Sequence, residues 1–176
     1  EIVLVYLQGW GTQKLENPGS IGFPYLVDVP NITQKLTIDL YEQGQTKSSK
    51  SFLSDTIYSV ADASRASLNA DQASLIARRL AARVAKHVVA KQISDKDPLL
   101  GFVALVGMVA SDRADLRQWS FLPNTIQIIR IPVNPGDYTL KLGGLGRDRQ
   151  VTETFNDVNL TVDKRQKIIH MVRSVL

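Results

Sequence analysis

The stretch "DLRQWSFLPNTIQIIRIPVNPGDYTLKL", residues 115–142, decides the fold. The segment "NTIQIIRIPV" at 124–133 is rich in β-branched residues, which favours a strand. "NPGD" then places Pro and Gly at the centre of a turn. "YTLKL" alternates apolar and polar residues, which is typical of a half-buried strand. Its apolar face consists of Tyr138, Leu140 and Leu142.

Strand patterns continue on both sides of this pair. The run Ile2–Leu7 is apolar throughout and predicts a strand that is buried on both faces. "QKLTIDLYE" at 34–42 alternates cleanly, whereas "FPYLVDV" at 23–29 is short and contains a proline. Two further strands are predicted at 158–162 and 167–172. Polar or glycine-rich segments between them, at 9–20, 43–51 and 143–150, are predicted loops.

Helical spacing replaces the strand pattern in the middle of the chain. Asn69 is a good N-cap for a helix that reaches Ile93. Asp97 caps a second helix at about 98–114, and Pro98 suits its first turn. We expect a helical hairpin in which Gly101 and Gly107 allow close packing. The apolar positions at helical spacing in the first helix are Ala77, Leu80, Ala81, Val84, Ala85 and Val88.

These patterns together predict an α+β fold. We expect a mostly antiparallel β-sandwich of seven strands, of prealbumin or immunoglobulin type, with the two-helix hairpin inserted between the third and fourth strands. The whole chain, 1–176, would form a single domain. The first three strands would lie within 1–45, the helical insertion within 54–114, and the last four strands within 120–176.

Composition excludes several classes of protein. A net charge of +4 and few aromatic residues do not resemble a nucleic-acid-binding profile. The chain has no cysteine, which removes disulfides, thiolate zinc sites and cysteine nucleophiles. The two histidines, His87 and His170, have no ligand-spaced neighbours, so we expect no metal and no cofactor. The longest apolar run, 99–110, is shorter than the roughly 20 residues that span a bilayer, and predicts a buried helix.

The same central stretch resembles the C-terminal module of a family of poorly characterised bacterial envelope lipoproteins. The pattern is Asp-x-Arg-x-Trp, then Leu-Pro, then Pro-Gly-x-Tyr-Thr, carried by Asp115, Arg117, Trp119, Leu122, Pro123, Pro135, Gly136, Tyr138 and Thr139. The resemblance implies a periplasmic location, associated with the outer membrane through a missing N-terminal part. In the family that part carries a signal peptide, a lipidated cysteine and helical repeats. The abrupt start at Glu1 leads us to expect a piece of a longer protein. No catalytic residue follows from the resemblance.

The residues that precede the central strand are predicted to form a structural corner. Trp119 and Leu122 would cap the end of the sandwich core, where a buried indole contributes a large apolar area. Asp115 and Arg117 would pair locally or bond loop carbonyls, and Pro123 would close the corner. The alternative is a partner-binding anchor, because Trp and Arg are common in interface hot spots.

A partner-binding surface is predicted on the helices. The second helix is apolar all round at its start, so Phe102 and Val106 are candidates for contact with another protein or another copy. The basic stripe Arg79, Arg83 and Lys86 would rim that contact or meet an anionic membrane surface weakly. A solvated helix face is the simpler interpretation of the stripe.

The sequence therefore predicts a non-catalytic envelope module that acts through protein–protein contacts with other envelope proteins or copies of itself. No nucleic-acid partner is expected. One alternative is a carbohydrate- or peptide-binding sandwich that uses Trp10, Tyr25 or Trp119 as a stacking platform. A second is a hydrolase with an unrecognised site. Trp10 is also a candidate for partner binding in the first interpretation.

Overall fold

The computed structural model describes residues 1–17, 23–110 and 115–176; within the helices it leaves undescribed the side chains of residues 79, 83, 104, 105 and 108–110. The chain forms two compact units. The first comprises Glu1–Thr12, Asp28–Asp62 and Trp119–Leu176, and the second comprises Gln13–Val27 and Ala63–Gln118. Residues 13–27 belong to the second unit together with residues 63–118. The single domain with one helical insertion stays a prediction.

The chain contains two helices and eleven strands within the described residues. The strands are β1 (Ile2–Gln8), β2 (Gln13–Glu16), β3 (Pro24–Val27), β4 (Lys35–Glu42), β5 (Lys50–Leu53), β6 (Asp55–Ser59), β7 (Thr125–Ile131), β8 (Gly136–Leu145), β9 (Val151–Thr154), β10 (Val158–Val162) and β11 (Ile168–Arg173). The helices are α1 (Val60–Ser94) and α2 (Pro98–Ala110).

The first unit is built from two sheets. One has the order β11-β1-β7-β6, and the other has the order β10-β8-β4-β5 with β9 also paired to β8. All pairs are antiparallel except β1 with β11. The predicted α+β class with mostly antiparallel strands is confirmed. In the second unit β2 pairs with β3.

Both sheets contribute side chains to one hydrophobic core. Its members are Ile2, Leu4, Tyr6, Leu36, Ile38, Leu40, Ile129, Ile131, Tyr138, Leu140, Leu142, Val162 and Val172. The predicted inward faces of β4 and β8 are thereby confirmed. Strand alternation produces this core because successive side chains point to opposite faces of a sheet.

The predicted count of seven strands is wrong, because four short strands were missed. They are β2, β5, β6 and β9, each of four or five residues. None of them buries alternate side chains in the regular way that β4 does. β6 also lies inside the segment predicted as helical insertion, so helix begins only at Val60.

The long helix begins nine residues before the predicted N-cap at Asn69. The Ser59 hydroxyl accepts a hydrogen bond from the Asp62 amide at 3.2 Å, so Ser59 caps α1 instead. Most of residues 60–68 are good helix formers. Asn69 therefore does not begin the helix, because the residues on both sides of it favour helix. The cap of α2 is as predicted. The Asp97 carboxylate accepts from the Leu99 and Leu100 amides at 3.0 and 3.3 Å. Residues 111–114 lie outside the described part.

Candidate functional site

The apolar helix α2 exposes its side chains. Phe102 is 64% exposed and Val106 is 51% exposed, and α2 has no charged residue. The sequence predicted a buried helix, and for the described side chains this is wrong. The other exposed large side chains of α2 are Leu99, Leu100 and Val103.

The apolar face of α1 is exposed as well. Leu80, Val84 and Val88, which share one face at helical spacing, all lie in solvent. Residues with this spacing normally face a core. The two helices therefore present apolar surface that no described residue covers.

The helices approach each other closely where residues 95–97 connect them. A Cβ atom at Gly101 would lie 2.5 Å from the Cα atom of Ser94, so only glycine fits there. At Gly107 no atom of the described part of the chain lies within 4 Å of the corresponding position. A groove of about 650 Å³ opens beside this approach, and its lining includes His87, Lys91 and Phe102.

The basic stripe is only partly described. Lys86 is half-buried. The side chains of Arg79 and Arg83 lie outside the described residues. The sequence of α1 carries six basic residues and two acidic ones, so the helix as a whole is positive.

A rigid loop positions Trp10 at the end of β1. Gly9 has a φ of +61°, and a Cβ atom there would lie 2.2 Å from the Asn31 side-chain oxygen. Because glycine leaves this space, Asn31 accepts a hydrogen bond from the Trp10 amide at 2.7 Å and donates to the Trp10 carbonyl at 3.1 Å. The sequence "GWG" therefore fixes the backbone of Trp10.

The side chain of Trp10 is held by three contacts. The indole N–H donates to the Val175 carbonyl at 2.9 Å. The Arg173 guanidinium lies 5.3 Å from the centroid of the Trp10 rings, and Phe121 packs at a centroid distance of 6.0 Å. Arg173 also donates to the Phe121 carbonyl at 2.7 Å. We call Trp10, Phe121 and Arg173 the Trp10 cluster. Arg173 thus occupies one face of the indole.

The predicted pairing of Asp115 with Arg117 is confirmed. The Arg117 guanidinium donates to both carboxylate oxygens of Asp115, at 2.9 and 2.8 Å, and the Arg117 amide donates at 3.1 Å. These hydrogen bonds, the side-chain ones first, hold the pKa of Asp115 well below its usual range. Both side chains are exposed, so the pair orders its own loop and contributes little stability.

The predicted burial of Trp119 is wrong. Trp119 is 75% exposed, and Leu122 is also exposed, although Pro123 is buried. The backbone of 122–124 instead closes the corner, because the Gly11 amide donates to the Leu122 carbonyl and the Asn124 amide donates to the Gln8 carbonyl. Trp119 precedes this closed segment and adds nothing to the core.

A buried polar layer, which the sequence interpretation missed, continues the interior beyond the apolar core. Gln8 donates to the Thr33 carbonyl at 2.9 Å and accepts from the side chains of Asn124 and Thr125 at 3.1 and 2.9 Å. Gln127 accepts from the Ser54 hydroxyl and donates to the Gln34 carbonyl. The sequence feature that marks such a position is a polar residue at an alternate, inward-facing position of a strand. Gln127 shares the inward face of β7 with Ile129 and Ile131.

One side chain in this region lacks a hydrogen bond. Tyr6 is fully buried, and its hydroxyl has no hydrogen-bond partner among the described residues. Nearby, the Ser174 hydroxyl donates to Glu153 at 2.6 Å. Burial raises the pKa of Tyr6 to about 12; the Ser174 hydroxyl opposes this shift and the Glu153 carboxylate adds to it.

Replacing Tyr6 with phenylalanine should change the pH dependence of stability above pH 10 and have a small effect at neutral pH. The folded state holds the phenolic proton more tightly than the unfolded chain does, so this contribution is complete below pH 10 and is lost between pH 10 and about pH 12. Tyr6→Phe should therefore lose less stability than the parent protein in that range. At neutral pH the change should be under about 1 kcal/mol, because the removed hydroxyl makes no hydrogen bond. Urea titrations at a series of pH values measure both; equal pH dependence in the two proteins would contradict the expectation.

A second groove, of about 350 Å³, lies within the second unit. Its lining includes Tyr25, Leu26, Asn69 and Gln72. Tyr25, which the sequence proposed as a stacking residue, thus borders a groove with two amide side chains.

Within the described parts of the chain, no three His, Asp or Glu residues are grouped so that they could hold a metal ion. His87 and His170 lie in different units. Of the helices that the structure describes, neither combines the length and apolar character needed to cross a membrane. Comparison of the chain with protein-family models, curated proteins and solved structures found no match.

Proposed function

We propose that this chain is a non-catalytic interaction module of the bacterial cell envelope, on the periplasmic side and associated with the outer membrane. In this proposal a β-sandwich carries a helical hairpin, and the hairpin contacts other envelope proteins or copies of the chain. The observation that carries the proposal is the exposure of Phe102, Val106 and their neighbours on α2.

The energetic argument rests on that exposed surface. Burial of one large apolar side chain stabilises a contact by about 1.5–3 kcal/mol, and α2 offers five exposed ones. Soluble monomers rarely expose a contiguous apolar patch of this kind. The positive charge of α1 would rim the contact, where it aids orientation more than affinity.

The envelope setting is supported by a separate feature. It rests on the resemblance of residues 115–139 to the envelope lipoprotein module.

A second candidate function is ligand binding by exposed aromatic residues. Phe121 and Trp119 are both exposed, and Tyr25 lines a groove. Aromatic faces of this kind stack on sugar rings or peptide side chains. Tryptophan fluorescence titrated with soluble oligosaccharides tests this candidate, because a ligand stacked on Trp119 should shift the emission.

Replacing Phe102 or Val106 with aspartate should abolish association through the helices while the fold persists. Both side chains are exposed, so a carboxylate there costs little in the free protein but would be buried unpaired in a contact. Circular dichroism follows the fold, and light scattering with co-purification from the envelope fraction follows association.

Val151→Asp is the matched control, because Val151 is an equally exposed apolar residue on β9 in the first unit. It should leave association unchanged. Flotation with phosphatidylglycerol vesicles separates protein contact from membrane contact. If both α2 variants unfold, these residues are core and the helical contact is excluded; if both associate as the parent does, the proposal is wrong.

A further inference from the structure

The strand β11 forms an open edge of its sheet. β1 is its only partner among the described residues. The Ile168 amide donates to the Glu1 carbonyl at 3.0 Å, and the Ser174 amide donates to the Leu7 carbonyl at 3.1 Å. Because backbone groups alternate sides along a strand, even-numbered residues face β1 and odd-numbered ones face outward. Ile169 and Met171 therefore present their N–H and C=O groups to the open side.

The side chains of those residues are also uncovered. Ile169 is 67% exposed and Met171 is 63% exposed, while Val172 on the other face belongs to the core. An added strand would thus gain backbone hydrogen bonds and apolar contact from the same two residues. Edge pairing of this kind combines main-chain affinity with side-chain selectivity.

The other edges of the two sheets are protected in ways that β11 is not. β6 has a register shift between Thr56 and Tyr58, and β5 has only four residues and begins with Lys50. β10 alternates with polar Asn159 and Thr161 on its exposed side. Irregularity, shortness and polar side chains all discourage strand addition. β11 has six regular residues, with no proline, no acid and a charge only at its end.

The charge around β11 defines its partner. Residues 163–176 contain four basic residues and one acidic one, Asp163, so this end of the chain has a net positive charge. Glu1 lies 3.1 Å from Lys167 and 2.6 Å from Arg130, so its single negative charge does not neutralise both cations. Lys164 and Arg165 are exposed in the turn before the strand. We propose that β11 accepts an extended segment of another protein as an added strand, apolar at alternate positions and acidic at the end beside Lys164 and Arg165. This surface is separate from the helical one, so the two proposals stand independently.

A second copy of the chain fits this edge poorly. Two β11 strands paired antiparallel about His170 would set Lys167 of one copy opposite Arg173 of the other. Like charges directly opposite each other destabilise a strand pair. The net positive charge beside β11 favours an acidic partner over a second copy.

The test uses a labelled synthetic peptide of alternating valine and threonine with a glutamate at each end. We expect it to bind the parent protein in fluorescence anisotropy, and to slow hydrogen exchange at the Ile169 and Met171 amides. Met171→Pro removes an outward N–H without touching the ladder to β1, and should weaken binding by at least about tenfold. Met171→Thr keeps that N–H and should weaken binding much less.

A peptide with alternate N-methylated amides tests the same point without altering the protein. It keeps every side chain but cannot pair as a strand on its methylated side, and we expect no binding. Equal binding of the methylated peptide, or none by the parent peptide, would overturn the proposal, whether or not Met171→Pro folds. If sedimentation instead shows a dimer that Met171→Pro converts to monomer, the occupant is a second copy and the acidic partner is excluded.

Discussion

Replacing Gln8 with methionine should lower the free energy of unfolding by about 3 kcal/mol, because three hydrogen bonds of about 1 kcal/mol each are lost. Methionine fills a similar volume, so little cavity forms. Its side chain cannot donate to the Thr33 carbonyl or accept from Asn124 and Thr125 as Gln8 does. The Thr33 carbonyl and the side chains of Asn124 and Thr125 then lose their hydrogen bonds to residue 8, which is fully buried. Urea denaturation measures the change.

Two further variants give this expectation its controls. Gln45→Met alters an exposed glutamine in the same unit and should change stability by under about 0.5 kcal/mol. Adding Asn124→Leu to Gln8→Met removes the side-chain amide that donates to Gln8 and should recover part of the loss. A loss under about 1 kcal/mol in Gln8→Met would mean that the polar layer adapts, and that it does not specify the packing of the two sheets.

The apolar half of the interior could be predicted from the sequence, but its polar half could not. Leu36, Ile38 and Leu40 alternate with polar residues, and this pattern has one physical explanation. Gln8 and Gln127 interrupt apolar strands, and a polar residue there fits equally well with a strand end, an exposed position or a satisfied buried position. Only the placement of Thr33, Ser54 and Asn124 decides among these.

Helical amphipathicity shows the complementary limit. The spacing of Leu80, Val84 and Val88 predicts an apolar face, and such a face is favoured when something covers it. The spacing does not show whether the same chain or another molecule covers the apolar face. The exposure of that face is what turns the predicted helix into a candidate contact surface.

Tryptophan illustrates the same limit at single positions. Trp119 lies in the segment that carries the family resemblance, and Trp10 lies between two glycines in a predicted loop. Sequence position favoured Trp119 as the structural residue. Hydrogen bonding reverses that order, because the Gly9 conformation and Asn31 immobilise Trp10, whereas the segment after Trp119 closes the corner through its backbone.

Replacing Trp10 with alanine should therefore destabilise the fold by about 2 kcal/mol, less than a fully buried tryptophan because Trp10 is half-buried. The change removes the bond to the Val175 carbonyl and the indole that faces Arg173 and Phe121. Trp119→Ala is the matched comparison and should cost under about 0.5 kcal/mol, since an exposed side chain loses little on truncation. Thermal and urea unfolding of the two variants show which replacement costs more stability.

A larger loss of stability at Trp119 than at Trp10 would support the tryptophan-capped corner and contradict the role given to the Trp10 cluster. Loss of partner binding in a stable Trp119→Ala protein would instead identify Trp119 as an exposed anchor.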